Sequence, residues 1–128
     1  MLRCGSRTNV KNAVSGPFGG ELVVSMRPYR EQEIPKVQSI TGKYPGAHGA
    51  PVHWGDPAEI GIADIGSTDY GDPVEIKDGE LPVCWACGVT PQTALESAKL
   101  PVAITHSPGY MMVCDLLDDE LLVDETVM

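Results

Sequence analysis

Residues 82–91, Pro-Val-Cys-Trp-Ala-Cys-Gly-Val-Thr-Pro, change character halfway along. An apolar run suited to a strand gives way to a turn at Gly88, and Thr90-Pro91 then carries the residue types that start helices. Threonine accepts hydrogen bonds from free N–H groups, and proline is preset for the first turn. Residues 92–98, Gln-Thr-Ala-Leu-Glu-Ser-Ala, continue as a helix. The stretch therefore predicts strand, tight turn, helix.

Two other segments share the plan. Pro51-Val-His-Trp54 leads through Gly55 to Asp56-Pro57, which predicts a strand and one or two helical turns. Pro101-Val-Ala-Ile-Thr-His106 leads to Ser107-Pro108, but Gly109 stops any helix, and residues 110–115 read as a further strand. The intervals of 31 and 19 residues are unequal, so this is no solenoid repeat. Upstream, residues 21–27 predict a strand closed off by Pro28. Residues 33–43 place Ile34, Val37 and Ile40 at helical spacing. Asp78-Gly79, between 74–76 and 81–83, is a hairpin signal. The 14 Gly and 11 Pro imply many turns between short elements and exclude a helical bundle. The expected fold is α/β: a mixed sheet with short helices following strand ends.

At 128 residues the chain fits one core. Three zones are expected: a Gly-rich basic lead-in over 1–20, the folded body over 21–116 and an acidic tail over 117–128. Arg3, Arg7 and Lys11 with no acid among the first twenty residues also fit a mitochondrial presequence, which the glycines there oppose. A net charge of −9, with six of the eighteen acids from Asp115 onward, repels phosphate backbones and speaks against nucleic-acid binding. No apolar run is long enough to cross a bilayer, and no secretory segment is present. Cys4, Cys84, Cys87 and Cys114 are expected as reduced thiols in the cytoplasm, with the mitochondrial matrix as the alternative.

In open α/β sheets, ligands bind beyond the carboxyl ends of strands, where helix N-termini offer free N–H groups to anions. That rim is expected to gather His53, Asp56, Cys87, Gly88, Val89, Thr90, His106 and Ser107. His53 and His106 are the candidate acid/base pair, since imidazole suits proton transfer near neutral pH. Asp56 either orients His53 or caps its own helix, and Thr90 has the same two readings. Arg27, ending a strand, is the preferred carboxylate clamp, with Arg7 as the other candidate. Trp54 is placed to wall a pocket, whereas His48 reads as a solvated loop histidine. His53, Asp56, His106 and Cys87 are types that suit zinc, but no short ligand pair supports a metal, and no cofactor is expected. Cys84 sits inside the predicted strand, so the C-x-x-C spacing does not read as a redox motif.

Several blocks together resemble the D-glutamate cyclase family: Arg7-Thr-Asn9, Leu22-Val-Val-Ser-Met-Arg-Pro28, His48-Gly-Ala-Pro-Val-His-Trp-Gly-Asp-Pro57, Tyr70-Gly-Asp72, Trp85-Ala-Cys-Gly-Val-Thr-Pro-Gln92 and Ile104-Thr-His-Ser-Pro-Gly109. The resemblance runs from about Arg7 to Leu116 and corresponds to the carboxy-terminal half of the family domain. It implies an α/β fold and a hydro-lyase, dehydrating D-glutamate to 5-oxo-D-proline in the characterised branch. The implied partner is a small carboxylate substrate, joined by the other half of the domain or a second copy. Cys84 and Tyr110 depart from the family pattern, in which an aromatic residue and a histidine are usual. The alternative reading is a non-catalytic module that binds a small carboxylate, or an inactive fragment of such an enzyme.

Overall fold

The computed structural model describes residues 5–110 and 113–123. Its centre is a four-stranded sheet of order β1-β2-β4-β3, built from β1 (Gly5–Lys11), β2 (Glu21–Arg30), β3 (His53–Trp54) and β4 (Glu80–Ala86). Two helices, α1 (Ile34–Thr41) and α2 (Thr90–Ala98), complete the α/β architecture. Every strand pairing is antiparallel, where the sequence suggested a mixed sheet. The reason lies in the order: β2 and β3 run the same way, joined through α1, but β4 inserts between them, so each hydrogen-bonded neighbour is antiparallel.

β2 and β4 pair from Val24 opposite Ala86 to Arg30 opposite Glu80. Opposed residues point to the same face, so the register sorts the sheet's two sides. Val24, Met26 and Cys84 lie on one face, packed with Ile60 and Ile62 from the long connection between β3 and β4. Val74 and Ile76 pack against the same cluster. On the other face, Val83 and Trp85 pack with Ile34 of α1, and Val23 packs with Cys87 and Val89 at the start of α2.

Pro28 does not end β2. It stands opposite Pro82, and the Cys87 N–H bond to the Val23 carbonyl sets the alternation of the ladder. Counting along it, Pro28 and Pro82 fall at a non-hydrogen-bonded pair, where neither missing N–H interrupts the β2–β4 ladder. Residues 5–11, assigned from sequence to the lead-in, form β1. Asp78-Gly79 does turn the chain, with Gly79 at φ 82°, but 74–76 is not its partner strand. Residues 101–106 are irregular, as are 113–115. The rest of the strand expected over 110–115 includes 111–112, outside the described residues. Among the described residues, no helix is long and apolar enough to cross a membrane.

α2 is tied to the sheet by hydroxyls. β4 ends at Ala86, opposite Val24, while β2 extends back to Glu21. Thr90 Oγ1 accepts from the Val23 N–H at 3.1 Å, and Thr93 Oγ1 donates to the Glu21 carbonyl at 2.7 Å. These side chains stand in for the strand that has run out, and Thr93 is buried. Thr93→Val keeps the shape but strands the Glu21 carbonyl, and should destabilise by ~1–3 kcal/mol in urea unfolding. Ser6, whose buried Oγ has no partner among the described residues, is the contrast: Ser6→Ala should cost less than ~0.5 kcal/mol in the same assay, or stabilise, since no hydrogen bond seen there is lost.

Candidate functional site

The face of the sheet that carries α1 is not fully covered. Between α1 and the loop after it, a hollow of about 380 Å³ opens over Ser25, Arg27 and Trp85, roofed by Thr41, Tyr44 and His48. Its volume lies in the range of small-molecule sites. Ser25, Arg27 and Tyr29 alternate along β2, so three neighbours on one face contribute to one floor.

The apolar wall is held in place. Trp85 is buried, its Nε1–H donates to Thr41 Oγ1 at 3.3 Å, and that hydroxyl donates to the Val37 carbonyl at 2.9 Å. Tyr29 meets Trp85 edge to face, with centroids 6.0 Å apart. Arg27 donates from its guanidinium to the Met26 carbonyl at 2.7 Å, which leans the fork along the strand while its side chain stays exposed.

His48, read from sequence as a solvated loop residue, is exposed in the loop after α1, and its ring also reaches the end of β4. Nδ1 lies 2.5 Å from the Ala86 carbonyl. A carbonyl only accepts, so Nδ1 carries the hydrogen, and in the neutral ring Nε2 is left as the base.

The structure does not bring His53, Gly88 and His106 to one hollow. His53 pairs with Cys84 and so lies on the opposite face from Arg27, which pairs with Val83. Its Nε2–H donates to the Asp56 carbonyl at 2.9 Å, with Glu59 Oε2 3.9 Å away. Asp56 meets His53 through its backbone, while its carboxylate caps the 3-10 turn at Pro57–Ile60 by accepting from the Ala58 N–H. Because β3 and β4 are antiparallel neighbours, their carboxyl ends leave in opposite directions, and a rim common to both cannot form.

The remaining sequence candidates divide between core and surface. Cys87 and Val89 are buried against Val23, and the Thr90 hydroxyl is engaged with β2. Gly88 is exposed, with nothing near the place a Cβ would take. His106 and Ser107 are exposed beside α2, where Gln92 Nε2 donates to the His106 carbonyl. They line a separate hollow of about 450 Å³ with Leu95 and Glu96. Arg7 is half exposed, and its guanidinium bonds Tyr70 Oη and Glu96 Oε2, both at 2.9 Å. The hydrogen bond to Tyr70 and then that to Glu96 raise its already high pKa. Among the described residues, no group of three or more His, Cys, Asp or Glu is placed to hold a metal.

These features define an α/β domain with a ligand-sized hollow lined by a guanidinium, an imidazole and an aromatic wall. The sequence model of the D-glutamate cyclase family matches residues 5–115, and the chain belongs to that family. It is 58% identical over 117 residues to a protein of Burkholderia ambifaria, covering 91% of this chain and 46% of that one. Similar proteins occur in Paraburkholderia phymatum, 57% identical with 91% and 46% covered, and Rhodopseudomonas palustris, 56% identical with 91% and 43% covered. All three are named "Putative hydro-lyase". The chain spans about half the length of the curated relatives it matches.

The His48 geometry makes a direct prediction. In alkaline buffer, long-range proton–nitrogen correlation spectra should show His48 with a protonated Nδ1 and a bare Nε2. The reverse tautomer would remove Nε2 as the base at this hollow.

Proposed function

We propose that the chain acts as a hydro-lyase on a small amino dicarboxylate, closing D-glutamate to 5-oxo-D-proline, and that the Arg27 hollow receives the substrate. Family membership supports the reaction class. The observation that carries the placement is the presence of Arg27 and His48 on one hollow against a buried tryptophan.

The chemistry needs a bound carboxylate, a base and an acid. The α-amine loses a proton and attacks the γ-carboxyl carbon; a C–N bond forms, a C–O bond breaks, and the oxygen leaves as water. Nothing is oxidised or reduced. The Arg27 fork suits the α-carboxylate, because a guanidinium donates two parallel hydrogen bonds to it. His48 Nε2 takes the two protons the nitrogen gives up, one before the attack and one after it, and passes each in turn to the departing oxygen, so one group serves both steps and the oxygen leaves as water. The hydroxyls of Ser25 and Tyr44, lining the same space, are the neutral donors available to the tetrahedral oxyanion. Trp85 and Tyr29 keep the floor apolar, which strengthens each of these interactions.

The test is to incubate the protein with D-glutamate and quantify 5-oxoproline by mass spectrometry. Arg27→Gln should lower kcat/KM by about 10²-fold, the loss of one charge-assisted clamp. His48→Ala should lower kcat by ~10²–10⁴-fold. His53→Ala and His106→Ala, away from the hollow, should leave turnover within about 3-fold, a difference at the low end of one lost hydrogen bond. Binding without product would favour a non-catalytic carboxylate module. Loss of activity in His53→Ala but not His48→Ala would move the site to the opposite face.

A further inference from the structure

Residues 100–114 contain no Asp, Glu, Lys or Arg, in a chain whose charged fraction is 21%. Surface segments of that length ordinarily carry charge. Within this stretch Val102, Ile104 and Val113 are 76%, 95% and 95% exposed. The sequence Pro101-Val-Ala-Ile-Thr-His106 alternates and is suited to a strand, yet it pairs with no strand among the described residues. Its tie to the body is the Gln92 Nε2–H bond to the His106 carbonyl, with a depression between it and α2. Local preference and observed environment disagree, and a missing surface resolves such a conflict.

We infer that residues 101–106 dock as an added strand on an apolar surface supplied by the part of the family protein that these 128 residues do not span, with Val102 and Ile104 on the buried side. Three observations select this occupant. The family match runs to residue 115 and so includes the segment, which makes it part of the family domain rather than an appendage. More than half of each relative's length lies outside the matched stretch, enough to supply the surface. The net charge of −9 opposes both a second copy of the chain and an anionic bilayer as the cover. Strand addition satisfies the segment's backbone and buries alternate side chains together.

Amide hydrogen exchange on two proteins as they exist tests this. In the 128-residue chain, the amides of 102–106 should exchange at close to the free-peptide rate. In the intact Burkholderia ambifaria relative, the amides aligned with them should exchange at least ~100-fold more slowly, as for strands within a core. Ile104→Asp should leave the urea midpoint of the 128-residue chain unchanged, whereas the same substitution at the aligned position of the relative should lower its melting temperature. Equal exchange in the two proteins would overturn the inference. So would protection in the 128-residue chain that grows with its concentration, which would assign the surface to a second copy.

Discussion

From Val24 opposite Ala86 to Arg30 opposite Glu80, β2 and β4 run side by side, and both faces of the domain take their identity from that register. Met26 and Cys84 share one face, buried beneath the connection that carries Ile60 and Ile62. Arg27 and Val83 share the other, with Trp85 two residues along. A slip of one residue in β2 would carry Arg27 into the apolar cluster and expose Met26. Burying an unpaired guanidinium costs far more than any ladder bond returns, so the core that fixes the register also fixes which side the cation occupies. The hollow is therefore not an accessory on a finished fold. It is the half of the sheet that α1 leaves uncovered once the opposite half has become the core.

How much of this could be read from residues alone depends on how local the controlling interaction is. Strand-turn-helix at residues 82–98 was legible because each step is written within a few positions: β-formers, then Gly88, then Thr90-Pro91, and α2 begins at Thr90. The short turn after Asp56-Pro57 was legible for the same reason. Strand direction was not. Pro-Val openings at 51 and 82 look alike, but their relative orientation depends on which strands become neighbours, a long-range matter decided by packing. The expectation of a common rim followed from treating similar segments as parallel.

The same distinction separates the candidate residues. Arg27 was chosen as an arginine closing an apolar strand, but β2 runs on to Arg30 and Arg27 stands in mid-ladder opposite Val83. Thr90 was chosen for its place at a helix start, yet its hydroxyl serves β2, 67 residues distant in sequence. Asp56 does what its local motif predicts and caps a turn. His48 carried no pattern of its own; its place depends on the loop after α1 folding back to the far end of β4. Pro28, locally a strand terminator, is tolerated because it falls at a non-hydrogen-bonded position of the β2–β4 ladder, as does Pro82 opposite it.

His48 and the two threonines answer one structural demand in different ways. Along β4, the Cys84 carbonyl accepts from the Val52 N–H on the β3 side of the sheet. Two residues on, the Ala86 carbonyl projects to that same side, but β3 is only two residues long and leaves it without a ladder partner. The His48 ring fills the gap. A lysine or serine donor would satisfy the carbonyl equally well, but neither would leave a second ring nitrogen, bare in the neutral tautomer that this bond selects. Satisfying the sheet edge and setting the His48 tautomer are thus the same hydrogen bond seen from its two ends. A short β3 is the feature that makes both available, since a longer edge strand would have paired with Ala86 and released the loop.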